Sequence, residues 1–252
     1  MVRKITVPLI AMLVFLGVWE ALVWVNDWPN YIMASPSDLP AAYSKYWNLF
    51  LVMGWQTLWR TVVGLLLAIA FGVALGMIMG FSRTMRDALY PLLVGFNAIP
   101  KATVVPIVAL LFVGAHDFNT ILIAFMISFF PIAVSVSIGL STLEPEYRDI
   151  LRSLGASQAT IFWKIALPKT LPEFFGALKV AVTLAFIGTN LMEIVSPHCR
   201  GLGALFDSGK TNSDYPLMFA VLIALAFLGI VLYYVVVFLE KVFAGWAERQ
   251  PT

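Results

Sequence analysis

The chain is poor in the residues from which soluble chemistry is built. Its 252 residues include one cysteine, Cys199, and two histidines, His116 and His198. A single thiol excludes an intrachain disulfide framework and a four-thiolate metal site, and two histidines argue against a metal cluster. Charge is scarce as well: 12% of the residues are charged, where a soluble domain carries about 25%. The formal net charge of +2 gives no reason to expect a nucleic-acid partner. What fills the chain is apolar, at 61% hydrophobic residues and a mean hydropathy of +0.90. That is more apolar surface than one compact core can hide, which makes lipid the expected solvent.

A helix crosses the hydrocarbon of a bilayer with about 20 mostly apolar residues. Residues 5–25, 58–81, 89–115, 119–143, 174–195 and 215–239 meet that requirement. The predicted fold is an all-α polytopic membrane protein of about six transmembrane helices, forming a single transmembrane domain over 1–252. The opening Met1-Val2-Arg3-Lys4 has the charge order of a signal peptide. Its apolar stretch is too long, however, and no small-x-small cleavage site follows, so it reads as a retained first helix. The third stretch carries Lys101 with Pro91, Pro100 and Pro106, which predicts a broken or late-starting helix. The fifth has Lys179 near its start and Glu193 near its end, and Glu20 lies near the outer end of the first.

Charge placement orients these spans. Arg3, Lys4, Arg83, Arg86, Arg148, Arg152, Lys164, Lys169, Lys241 and Arg249 fall on one side of a six-span arrangement. Lys45, Arg60, Arg200 and Lys210 fall on the other. The basic excess marks the cytoplasmic side, so both termini are expected inside. Residues 26–54 form a long outer segment rich in aromatics, which favour the headgroup level. No internal repeat or low-complexity tract is visible.

The longest inner connection, 144–173, is patterned. Pro145 and Glu146 suit the first turn of a helix, where a fixed φ and negative charge are favoured. Tyr147, Ile150, Leu151 and Leu154 recur at helical spacing, and Gly155 ends the run as a C′ residue does. Ser157 is placed to cap a second helix with the apolar face Ile161, Phe162 and Ile165, before Pro168 and Pro172. Two short helices held between membrane spans make a rigid knob that can transmit force.

Here the sequence resembles the permeases of binding-protein-dependent ABC importers. Their cytoplasmic signature has an acid, two small or apolar residues, a glycine six positions after the acid, then an aliphatic residue and Leu-Pro. In this chain these are Asp149-Ile150-Leu151, Gly155, Ile165 and Leu167-Pro168. The usual glutamate is Asp149, and the usual paired alanines are Ile150 and Leu151. Asn97-Ala98-Ile99-Pro100-Lys101 leading to Pro106, Gly201-Leu202-Gly203, and Leu239-Glu240-Lys241 look most like the nitrate, sulfonate and taurine branch.

The resemblance implies a transmembrane subunit of a bacterial inner-membrane importer that works as a homodimer. Its other partners would be two cytoplasmic ATP-binding subunits and an extracytoplasmic substrate-binding protein. Asp149, Leu151, Gly155, Ala156, Ile165, Leu167 and Pro168 would form the surface that couples to the ATPase. The chain would then be no enzyme and hold no cofactor, with ATP and Mg on the partner subunits. Its cargo would be a small solute, by branch an anion such as nitrate, a sulfonate or taurine, passed by alternating access.

Other features admit two readings each. Gly64, Ala68, Gly72, Gly76 and Gly80 recur every four residues and present one smooth helix face. That face packs either within the subunit or against a second subunit or the pathway. Glu193, Lys101 and Asn97 are the candidate pathway residues, because ionisable groups at membrane depth often line pathways. Against this, Glu193 lies close enough to the interface to reach water, and Lys101 is long enough to snorkel. Ala204 to Thr211 approximates a phosphate-binding loop, but its first glycine is displaced to Gly203 and no buried strand precedes it. A stand-alone secondary transporter is the rival class. It would usually show inverted repeats and paired broken helices, whereas only 89–115 reads as broken.

Overall fold

Lipid offers no partner to a backbone N–H or C=O, so a chain this apolar must satisfy those groups within its own helices. The computed structural model describes residues 2–141, 153, 155, 157, 160, 162–196 and 199–246, and every regular element among them is helical. The long helices are α1 (Val2–Val25), α2 (Leu39–Phe81), α3 (Arg83–Ala98), α4 (Lys101–Leu111) and α5 (His116–Ser141). After a π-helical turn at Phe162–Ala166 come α6 (Leu167–Val195), α7 (Leu202–Thr211) and α8 (Tyr215–Ala244). By length and composition α2, α5, α6 and α8 qualify as membrane spans. The pair α3–α4, bent by 86°, makes a fifth if counted as one span, and α1 contributes a shorter apolar helix over Ile10–Val25.

Helix α2 begins at Leu39 rather than near 58, so half of the stretch read as an outer connection is helical. The sequence permits this: Pro40 sits in the first turn, where its missing N–H costs nothing. The helix kinks at Tyr46 (φ −113°, ψ 18°). Beside the kink the Tyr46 hydroxyl donates to Asp214 Oδ2 at 2.6 Å, and Asp214 Oδ1 accepts the Leu217 amide to cap α8. Burial works to raise the Asp214 carboxyl, but the Tyr46 hydroxyl, the Leu217 amide and Lys45 outweigh it and hold it below the usual carboxylate range. Glu20 of α1 accepts both the Ser37 amide (3.1 Å) and its hydroxyl (2.9 Å).

In the core α5 packs along both α2 and α6, which also touch each other, and α8 packs against α6 and α2. Ala68, Phe129, Ile132, Val136, Phe175 and Val182 sit at its centre, joined by Leu232 and Val236 of α8. A second cluster packs Leu39, Ala42 and Phe50 of α2 against Leu202 and Leu205 of α7 and Leu217 and Val221 of α8. By contrast, α3 buries none of its residues. It is held at its start by Ser82, which caps Met85, and by Arg86, whose guanidinium reaches the Met79 and Gly80 carbonyls at 3.2 and 3.4 Å.

Candidate translocation and coupling site

At one end of the bundle three helices and a loop converge on a buried carboxylate. Glu193, two residues from the end of α6, has a fully buried side chain. Its Oε2 accepts the Gly203 amide at 3.0 Å and lies 2.8 Å from Thr57 Oγ1, and that hydroxyl in turn accepts the Leu202 amide at 2.8 Å. The counter-charge comes from Arg60 of α2, itself 4% exposed, with Nη1 at 3.3 Å from Glu193 Oε1. Arg60 also holds Asp117, in the first turn of α5, at 2.6 Å through Nη2 and 2.8 Å through Nε, and it donates to the Arg200 carbonyl. A charge taken out of water is tolerated only when paired and hydrogen-bonded in this way.

The local sequence makes room for the arrangement. Gly201 has φ +149°, a conformation that disfavours any side chain, and a Cβ there would collide with the Glu193 carboxylate. A Cβ on Gly203 would stand 2.8 Å from Glu193 Cβ and 2.8 Å from the Asn190 carbonyl. Gly201-Leu202-Gly203 is therefore a notch for one carboxylate, which accepts the Gly203 amide in the first turn of α7, where negative charge is favoured. Cys199 is buried beside Arg60 and Thr120, and burial pushes its thiol above the usual range.

The α3–α4 elbow turns at Ile99 and Pro100, which are extended (ψ 127° and 109°) between the two helices. Pro91 and Pro106 lie within helices. The turn is held by Lys101, whose Nζ caps the end of α3: it donates to the Phe96 carbonyl at 3.4 Å, to the Asn97 carbonyl, and to Asn97 Oδ1 at 3.1 Å. Asn97 is exposed and Lys101 partly so. The structure thus joins Asn97 to Lys101 at the elbow and places Glu193 elsewhere, in the Arg60 cluster.

The four-residue stripe of α2 lies along α5. Added Cβ atoms would meet Ala124 Cβ at 2.6 Å from Gly64, the Phe129 carbonyl at 2.9 Å from Gly72, the Ala133 carbonyl at 2.7 Å from Gly76, and Leu140 Cβ at 2.8 Å from Gly80. Ala68, in the same stripe, is fully buried. The stripe continues one step further, to Arg60, which the charge pattern alone counts only as a basic residue at the outer end of the second span. Its spacing from Gly64 was the available signal, since a residue four before a packing glycine faces the same neighbour.

Of the expected coupling residues, Asp149, Leu151 and Ala156 lie outside the described residues. Gly155 is exposed with φ +81°, and a Cβ there would have nothing within 4 Å. Ser157 Oγ accepts the Thr160 amide at 3.1 Å, the bond an N-cap residue makes. Ile165, in the π-helical turn, and Leu167 and Pro168, at the start of α6, are half-buried. The stretch resembling a phosphate loop is helix α7, with Gly209 packed against the Met218 amide. A helix commits its amides to its own carbonyls and offers no cradle of the kind that loop needs.

Comparison with known proteins accounts for this architecture. Residues 68–247 match the family of binding-protein-dependent transport system inner membrane components. The chain is 30% identical to the formylaminopyrimidine transport permease protein ThiX of Halalkalibacterium halodurans, over 96% of each. It is 27% identical to the taurine transport system permease protein TauC of Escherichia coli, over 82% of this chain and 77% of that one. Among solved structures, inward-facing MetNI methionine ABC transporter covers 77% of this chain and 96% of its own with a TM-score of 0.65, at 20% identity, a likeness of fold. The helical bundle, the signature around Gly155 and these matches agree: the chain belongs to the binding-protein-dependent inner membrane components and is a permease subunit of the ABC importer class, on the branch that includes the taurine permeases.

Proposed function

We propose that the chain passes a small solute by alternating access, driven through residues 144–173 by ATP-binding subunits in the cytoplasm. Two copies of the chain would enclose the path, two ATPases would hold ATP and Mg, and an extracytoplasmic binding protein would deliver cargo. The orientation follows the basic excess. Both termini and 144–173 face the cytoplasm of a bacterial inner membrane, and the Glu193 cluster faces outward.

The observation that carries this reading is the course of α6. It starts at Leu167-Pro168, within the signature, and runs unbroken to Val195, two residues beyond Glu193. A push on the signature is thereby delivered to the outer end of the bundle by one helix. The turn points at Gly155 and Ser157 fit a knob of two short helices containing Asp149, Leu151 and Ala156, with Ile165, Leu167 and Pro168 joining it to the membrane.

The path itself is assigned to the elbow. Non-helical backbone at membrane depth is tolerated only when buried in protein or facing a water-filled cavity. Ile99 and Pro100 are exposed in the single subunit, as is Asn97, and we take this face to be the one that borders the water-filled path. Asn97 and Lys101 then line the path, and Glu193, whose oxygens are engaged, anchors its wall. Of the two relatives named, one carries a pyrimidine and the other a sulfonate. The cargo assigned here is accordingly a small polar solute, with nitrate, sulfonates and taurine within its range.

Gly155 provides the test. A Cβ there meets nothing within 4 Å, so an arginine, though strained at φ +81°, would extend the surface that docks. Asparagine tolerates the left-handed conformation at small cost. Gly155→Arg is expected to insert normally but to lose the ATPase subunits on copurification and to abolish uptake, whereas Gly155→Asn retains both. Uptake by liposomes holding this chain alone, driven by an ion gradient, would instead establish the secondary-transporter reading.

A further inference from the structure

Near the middle of α6 a second ion pair lies within the span, away from the Glu193 cluster. Lys179 Nζ sits 2.9 and 2.8 Å from the two carboxylate oxygens of Glu240 on α8, with side chains 26% and 16% exposed. One turn toward the helix start, the Phe175 ring stacks on Phe243 of α8, with centroids 6.5 Å apart and planes 10° from parallel. Both contacts fall just after Pro172, which lies inside α6. A proline in a helix interior removes one backbone hydrogen bond and crowds the carbonyl four residues earlier, here that of Pro168. The helix is therefore softest between the Leu167-Pro168 signature and its membrane span.

Beyond that soft point α6 is tied to α8 by this pair, so the part of α6 that moves can carry α8 with it. Helix α8 is suited to follow. Its first half is held by α2 and α7, whereas toward its end it presents Tyr234, Phe238 and Val242 to lipid, which resists movement of that end little. The pair is bidentate and partly withdrawn from water, so in a low-dielectric setting it is stiffer than the apolar contacts around it. A pair at this depth also costs desolvation, and mere adhesion between two apolar helices does not require it.

We infer that Lys179 and Glu240 act as positioning residues that make the end of α8 move with α6 when the signature is displaced. This rests on the coupling role proposed for residues 144–173. The test uses the complete transporter in lipid nanodiscs, with Cys199→Ser and a spin label at Val180→Cys on α6 or Phe238→Cys on α8, both exposed positions. Distances between the two copies are read without nucleotide and after trapping with ATP, Mg and vanadate.

In the parent both label pairs are expected to change distance. In Lys179→Met/Glu240→Gln the Val180 change persists and most of the Phe238 change is lost, and the charge-swapped Lys179→Glu/Glu240→Lys restores it. Glu240→Asp keeps both charges but shortens the reach, and gives a reduced Phe238 change even if the neutral double variant does not assemble. An undiminished Phe238 change in the neutral variant, or in Glu240→Asp where that variant cannot be made, overturns the inference. Absence of any nucleotide response at Val180 in the parent defeats the coupling reading itself.

Discussion

Arg60 holds two carboxylates, and the consequences of removing each partner differ. In Glu193→Gln the neutral amide can still accept from Gly203 and lie against Thr57, while Arg60 keeps Asp117. In Arg60→Met both acids lose their cation, and one of them is fully buried. Breaking a buried pair from one side costs about 3–5 kcal/mol, and losing one charged hydrogen bond about 1.5–3 kcal/mol. Arg60→Met should therefore lower the thermal midpoint of the detergent-solubilised subunit more than Glu193→Gln does. The double variant should lose less than the sum, since the charge stranded by one change is removed by the other. Strict additivity would mean that the two groups do not act as a pair. Glu193 was visible in the sequence as an acid at the end of an apolar run. Its partner was not, because an arginine at a helix end is equally at home in water.

Helices α2 and α5 approach closely because α2 brings hydrogen where other helices bring side chains. At Gly76 an added methyl would meet the Ala133 carbonyl and Val136 Cβ, both at 2.7 Å, and backbone cannot yield as a flexible side chain can. Overpacking of this kind costs about 1–3 kcal/mol. Gly76→Ala should accordingly depress the thermal midpoint. Gly17→Ala, where nothing lies within 4 Å, should be neutral or slightly stabilising because alanine is the better helix former. Equal effects at the two sites would remove close packing as the reason for the stripe. The spacing of these glycines was legible in the sequence. Which helix they meet was not, because α5, α6 and α8 all offer apolar faces. The elbow divides in the same way: three prolines announced a break, and Pro100 keeps Ile99 extended, but Lys101 folding back onto the α3 carbonyls is a contact with no pattern of its own.

On the scale of the whole molecule, the proposed path sets an exposed elbow face against an enclosed one. The elbow face exposes Asn97, whereas Cys199 is enclosed with a thiol whose ionisation burial opposes. The thiolate is the reactive form, so raising the thiol's range slows alkylation at neutral pH. A charged, water-soluble maleimide should label Asn97→Cys quickly in a Cys199→Ser background and the native Cys199 slowly, as read by mass shift. Comparable rates would place the elbow in lipid or protein and remove it from the path. The division into apolar helices and a patterned connection was readable from composition and spacing. The two faces were not, since they arise from how neighbouring helices shield one another. The Glu193 notch bears on selectivity. The start of a helix is a ready seat for an anion, and at α7 the chain has filled that seat with its own carboxylate. On the proposed reading, a negatively charged solute reaching this end would find the berth taken and its cation already paired, and a conduit works by releasing what it receives.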